Sequence, residues 1–201
     1  MGGDRRRLLA TMPLHAITSG YGEAGLRERF AAEAAALPEA GRRKVRQALD
    51  LAARLHAADR RDAEPYVNHL LRVAIRVMSR SHYGVRDADV ISAALLHDAV
   101  EDHAAELSGG GGRQQPGDGG QPGDGGRQAA LAALAAGFGP RVADLVAAVT
   151  NPVYAPGRDP HQQYREHVAD SLRRDPWARV IKASDFADNG AGLIHTGGPK
   201  L

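Results

Sequence analysis

Apolar positions in this chain recur at spacings of three and four residues rather than alternating, which predicts a series of amphipathic helices. Over residues 42–58, Val45, Ala48, Leu49, Ala52 and Leu55 share one face, with Arg and Gln side chains opposite. A turn runs from Asp59 to Pro65. Val67, Leu70, Leu71, Ala74, Ile75 and Met78 then form a second stripe. Pro65 stands near its start, where a missing N–H costs nothing. The third helix, predicted over 87–102, is apolar nearly all round through Val90, Ile91, Ala93, Ala94, Leu95 and Leu96. Such a helix belongs in the core, yet it ends in His97, Asp98, Glu101 and Asp102. Helices are also predicted over 129–136 and 141–150, broken at Gly137-Phe138-Gly139-Pro140, and over 161–172. Pro176 opens a last helix in which Trp177, Val180, Ile181 and Phe186 lead to Asp188 and Asn189, with Trp177 expected in the core. The fold class predicted is all-α.

Two stretches fall outside this periodicity. Residues 108–127 carry the hexapeptide Gln-Pro-Gly-Asp-Gly-Gly at 115–120 and again at 121–126. We expect a flexible, disordered glycine-rich insertion whose removal leaves the fold intact. Residues 1–20, with Arg5, Arg6 and Arg7 ahead of Pro13, are expected to be a mobile N-terminal segment, and their apolar stretch is too interrupted for an export signal. The ending Gly197-Gly198-Pro199-Lys200-Leu201 has no capped element, as in a chain that continues.

Composition narrows the function. A length of 201 residues suits one domain, and 25% charged with 43% hydrophobic residues excludes wholesale disorder. No apolar run nears the roughly 18 residues that cross a bilayer. The 26 Lys and Arg against 24 Asp and Glu leave +2, which argues against a nucleic-acid binder. No cysteine is present, so disulfides, iron–sulfur clusters and thiolate zinc sites are excluded, and His and carboxylates remain as metal ligands. The expected compartment is the cytoplasm, and no feature fixes an oligomeric state.

On one helix, His97, Asp98, Glu101 and Asp102 lie on neighbouring faces within a turn. Three carboxylates and an imidazole in apolar surroundings repel one another unless a cation sits among them. A divalent metal is therefore expected, with Mn(II), Fe(II), Zn(II) and Mg(II) all compatible with the ligand type, and further ligands must come from elsewhere.

Three segments in order carry a family resemblance: Glu64-Pro65-Tyr66-Val67-Asn68-His69, then Ala94-Leu95-Leu96-His97-Asp98-Ala99-Val100-Glu101-Asp102, then Ile181-Lys182-Ala183-Ser184-Asp185-Phe186-Ala187-Asp188-Asn189. Together they resemble the HD-domain alarmone hydrolases, which include the hydrolase half of the RelA/SpoT enzymes and the free-standing small alarmone hydrolases. The resemblance covers roughly 42–189 apart from the insertion. It implies an HD-domain helical bundle, taken as one phosphohydrolase domain over 21–201. It implies His56, His97, Asp98 and Asp185 as ligands of one metal ion, usually Mn(II), with His56 chosen for its distance before Pro65-Tyr66. Glu101 and Asp102 match the family's Glu-Asp pair, which positions and deprotonates the attacking water. Arg46, Arg60, Arg61 and Lys182 are candidate phosphate partners, and Asn189 matches an asparagine near the nucleotide.

His69 is expected to be a structural neighbour of the ligands, while His15, His82, His103, His161, His167 and His195 are expected to be solvated or locally bonded. The family's His-Pro is His69-Leu70 here, and its Lys- or Arg-Ser-Gly-Glu-like turn is Arg61-Asp62-Ala63-Glu64. The implied reaction removes the 3′-pyrophosphate of (p)ppGpp, giving GDP or GTP and pyrophosphate. Two alternatives keep the fold. One is hydrolysis of another nucleotide, such as a pyrophosphorylated adenosine nucleotide or NADPH, and the other is a catalytically silent nucleotide-binding regulator. Neither a nucleic acid nor a membrane is an expected partner.

Overall fold

Every side chain from Val67 to Met78 is buried, which makes this helix the axis of the molecule. The computed structural model describes residues 2–61, 63–109 and 124–195. In chain order these form α1 (Gly2–Thr11), α2 (Leu14–Ala34), α3 (Glu39–Leu55), β1 (Arg60–Arg61), β2 (Glu64–Pro65), α4 (Val67–Met78), α5 (Ala88–Leu95), α6 (Ala99–Asp102), α7 (Ala104–Leu107), α8 (Asp124–Phe138), α9 (Pro140–Val149), α10 (Pro160–Arg174) and α11 (Pro176–His195). The predicted all-α class holds, with one two-residue antiparallel ladder in which Arg60 faces Pro65 and Arg61 faces Glu64. No described helix is long and apolar enough to cross a membrane.

Around α4 stand α2, α5 and α11, while α5 also packs on α3 and α9. The apolar stripe of α4, with Leu70, Leu71, Ala74, Ile75 and Met78 fully covered, joins Ile91, Leu95, Leu145 and Ile181 in one core. Its opposite face is also inside, because α2 and α11 cover it. Asn68, His69, Arg72 and Arg76 are therefore buried and must find partners within the protein.

Several expectations are corrected. Residues 1–20 are not a loose segment: α1 and the start of α2 fold onto the bundle, with Leu9, Leu14 and Ile17 buried. The guanidinium of Arg29, itself buried, donates to the Leu9 carbonyl and, at 3.2 Å, to Ser79 Oγ. The domain boundary expected at residue 21 falls inside α2, which bends one residue later at Gly22 (φ 60°, ψ −156°), a conformation that only glycine takes without strain. Of the expected insertion, 110–123 lie outside the described residues, whereas 124–127 form the first turn of α8 rather than flexible chain. Trp177 is 37% exposed, and Ala178 and Ile181 take the inward face of α11 instead.

The single helix predicted over 87–102 is broken. Asp87 caps α5 by accepting from the Asp89 amide at 2.9 Å, but the helix stops at Leu96 (φ −106°, ψ 9°) and α6 begins only at Ala99. On a continuous helix adjacent residues diverge by about 100°, so His97 and Asp98 would not aim at one point. The break lets both turn inward.

Candidate metal and phosphate site

The centre of the site is a contact between two imidazoles. His69 from α4 and His97 from the α5–α6 break bring their Nε2 atoms to 3.4 Å. The Nδ1 of His97 sits 3.0 Å from the Ala94 carbonyl, and that of His69 sits 2.9 Å from Asp188 Oδ2. Both partners are acceptors, so each Nδ1 carries the proton in the neutral ring and each Nε2 presents its lone pair, a tautomer assignment inferred from partners. Two carboxylates complete the set. Asp98 Oδ2 lies 3.1 Å from His97 Nε2 and 3.7 Å from His69 Nε2, and Asp185 Oδ1 lies 3.7 and 3.5 Å from the same atoms. Donor atoms of His69, His97 and Asp185 fall within 4.8 Å of one another, a group able to hold a metal ion.

The electrostatics agree. Burial opposes charge on His97, yet the Asp98 and Asp185 carboxylates lift its pKa to about 10. Burial likewise raises Asp98 and Asp185, but the two histidines hold Asp98 well below the usual carboxylate range and His97 holds Asp185 down. Without a proton or a cation between them, the two Nε2 lone pairs would face negative charge here. A divalent cation satisfies the same set directly.

His56 does not join the set. Its Nδ1 is 2.7 Å from Asp59 Oδ2, and its ring stacks on Tyr66 with centroids 4.6 Å apart. Tyr66 stands between His56 and the centre and donates its hydroxyl to Asp98 Oδ2 at 2.8 Å. The reason is local: α3 ends at Leu55 and His56 caps it with its ring turned to Asp59 and Tyr66, while His69 enters in the first turn of α4. Of the four residues expected as ligands, the structure brings together His97, Asp98 and Asp185, and His69 takes the fourth place.

A model of the family described as HD domain matches residues 48–174, more than half of the chain. The chain belongs to the HD-domain family. Among curated proteins it is similar to the guanosine-3′,5′-bis(diphosphate) 3′-pyrophosphohydrolase MESH1 of Homo sapiens, 46% identical over 59 residues. It is also similar to the protein of the same name in Xenopus tropicalis, 44% identical over 61 residues. These matches span 28% and 29% of this chain and 32% and 33% of the relatives, so the chain covers about a third of their length.

Beside the His–Asp centre of this HD domain opens a polar cavity of about 260 Å³. Asp98, Glu101 and Asp185 line it together with Arg61, Lys182 and Asn189, which supply donors. The Lys182 ammonium is buried, 3.3 Å from Asp185 Oδ2, and lies 5.4 Å from the centre of the Phe186 ring. Burial disfavours its charge, but Asp185, Tyr164 and Glu101 keep its pKa above the ordinary lysine value. Asn189 donates to Asp185 Oδ1 at 2.9 Å and accepts from Arg61. Phe186 and Tyr164 line the same cavity. Arg46, on α3, and Arg60, in β1, are exposed and do not line it.

The two acidic residues of α6 differ. Both oxygens of Glu101 are engaged, Oε1 by the Asn151 amide at 2.5 Å and Oε2 by the Asn151 side chain at 2.8 Å, which ties α6 to the loop after α9. Burial raises its pKa. Asp102 accepts no hydrogen bond among the described residues. Although open to solvent, it is flanked by protein, and this desolvation with repulsion from Asp98 and Glu101 pushes it up to about 7.

Sequence reasoning missed His69 as a donor and gave Asn151, Tyr164 and Asp188 no role at the site. The signal for His69 and Asp188 was present, since both lie inside the quoted motifs. Nothing local marks Asn151 or Tyr164.

Proposed function

We propose that this chain is a metal-dependent hydrolase that removes the 3′-pyrophosphate of guanosine alarmones, converting ppGpp or pppGpp to GDP or GTP and pyrophosphate. The observation that carries the reading is the convergence of His69 Nε2, His97 Nε2, Asp98 and Asp185 beside a cavity lined by Lys182 and Arg61. The names of the two curated relatives support the substrate class. His69, His97, Asp98 and Asp185 would hold one divalent cation, proposed as Mn(II), whose chemistry is to acidify a bound water and polarise a phosphoryl oxygen.

The remaining roles belong to the chain itself. We assign Asp102, which has a pKa near 7 and no competing hydrogen bond among the described residues but does not itself line the cavity, to accept the proton of the attacking water. Glu101, clamped by Asn151, acts as a positioning residue that holds α6 against the following loop. As the water oxygen bonds to the phosphorus next to O3′, the P–O3′ bond breaks, and the leaving 3′ oxygen takes up a proton. Lys182 and Arg61 offset the phosphate charge. Phe186 and Tyr164 offer faces on which a base can stack, and stacking tolerates any base.

That tolerance keeps other nucleotides in the test. The experiment is product analysis by mass spectrometry after incubation with ppGpp, pppGpp, a pyrophosphorylated adenosine nucleotide and NADPH. GDP from ppGpp, with loss of turnover in Asp102→Asn, is the expected result. Turnover confined to adenosine nucleotides or NADPH overturns the guanosine assignment. Nucleotide binding without any product overturns catalysis in favour of a regulator.

A further inference from the structure

A second group of donor atoms lies behind Tyr66, on the far side from the His69–His97 centre. His56 caps the end of α3, Asp59 sits in the turn before β1, and His103 separates α6 from α7. Asp59 Oδ2 lies 2.7 Å from His56 Nδ1 and 2.7 Å from His103 Nε2, and the two rings meet edge to face with centroids 4.5 Å apart. All three donor atoms fall within 4.8 Å of one another.

His103 carries the decisive feature. Its Nε2 faces the Asp59 carboxylate, and its Nδ1 faces Glu106 Oε2 at 3.3 Å. A neutral imidazole has one proton, so with both ring nitrogens facing carboxylates either a second proton or a metal cation must occupy one of the two contacts. A carboxylate at the outer nitrogen of a histidine whose other nitrogen points at a donor cluster is the usual outer-shell arrangement of a metal ligand.

We propose that His56, Asp59 and His103 form a second divalent-cation site, distinct from the His69–His97–Asp98–Asp185 set, which takes a borderline transition ion of the Zn(II) class. Two imidazoles and a carboxylate are the ligand types such ions select, and three protein donors leave a position for water. The donors around tetrahedral zinc stand about 3.3 Å apart, so the 2.7 Å contacts must open slightly. Asp59 can yield, because its side chain is 29% exposed while that of His56 is 1% exposed. The same partial exposure gives the ion access from solvent. The proposal goes beyond the hydrolase reading and does not depend on it.

The test is metal stoichiometry of the full chain, stripped with EDTA, loaded with Zn(II), desalted and measured by inductively coupled plasma mass spectrometry. Asp59→Asn and His103→Gln keep hydrogen-bonding groups in place, and circular dichroism checks that each variant folds. The expected result is that both variants bind one zinc ion fewer than the parent, while Asp185→Ala retains the ion that they lose. Loading the parent with Co(II) should add visible d–d bands that disappear in Asp59→Asn but persist in Asp185→Ala. Equal zinc content in the parent, Asp59→Asn and His103→Gln overturns the proposal. Failure of the hydrolase reading looks different: Asp185→Ala would then bind as much metal as the parent, whatever Asp59→Asn does.

Discussion

Buried between α4 and α11, Asp188 accepts from His69 Nδ1 at 2.9 Å and from Arg72 Nε at 3.0 Å, with Arg76 at 3.4 Å and His15 Nε2 at 3.5 Å from the same carboxylate. Burial works against its charge, but His15, His69 and Arg72 hold its carboxyl far below the usual range. Through this contact His69 is locked with Nε2 facing the centre. Asp188→Asn should lower divalent-metal affinity about 10–100-fold, read by isothermal titration calorimetry; an unchanged Kd contradicts the role. His69→Ala should abolish binding at the His69–His97 centre, whereas His56→Ala should leave that ion in place. Retention in the first and loss in the second would restore His56 as the ligand. His69 lay inside a quoted motif and His56 in none, but both flank the Asp59–Pro65 turn, and spacing along a chain does not say which ring reaches the centre.

Asp102 adds a pH dependence at the same scale. Its folded pKa near 7 is above the ordinary aspartate value, so the folded state holds its proton more tightly than the unfolded chain. Stability from this group is present at low pH and is lost as pH rises from about 4 to about 7. In metal-free protein, Asp102→Asn should raise Tm at pH 8 by about 2–4 °C, the shift of ~1 kcal/mol in a domain of this size after discounting for solvent screening. The gain should vanish near pH 4. A gain of equal size at both pH values contradicts the assignment.

At the scale of elements, legibility followed amphipathicity. The apolar stripe of α4 was readable because its period is regular, but its polar face gave no sign of being covered. The periodic pattern reports which residues avoid water, not which charges are paired inside. Arg72, on that polar face, meets Glu64 at 2.6 Å and Asp188 at 3.0 Å. The break between α5 and α6 was hidden for a related reason. Leu96, His97 and Asp98 have no helix-breaking residue among them, and the kink is set by tertiary demand that both polar side chains face one point. The first two helices were missed because Arg5–Arg7, Pro13 and Gly20, Gly22 and Gly25 obscure the spacing of Leu9, Leu14 and Ile17. Removing residues 1–12 should therefore cost more than trimming a loose tail. Loss of the buried Leu9 and of the carbonyl that satisfies Arg29 should lower Tm by about 5–10 °C, and a thermal melt unchanged within error contradicts the packing.

For the whole molecule, the bundle supplies one axis, α4, that delivers His69 to the centre while its neighbours deliver the rest. The α5–α6 break adds His97 and Asp98, and α11 adds Lys182, Asp185 and Asn189 on one inward face. Residues distant in sequence thus form a concentrated negative centre with cationic groups at its edge, the distribution that a metal ion and a phosphorylated ligand both require. The family was legible because its three motifs survive in order. Arg46 and Arg60 were misplaced because their proximity to motifs in sequence is lost on exposed faces of α3 and β1.

The most direct test of the hydrolase account is pyrophosphate release from ppGpp by EDTA-stripped protein, measured with and without added Mn(II), beside Asp185→Ala. The account predicts release only when Mn(II) is present and only from the parent chain. Release of equal rate without metal, or from Asp185→Ala, would contradict it.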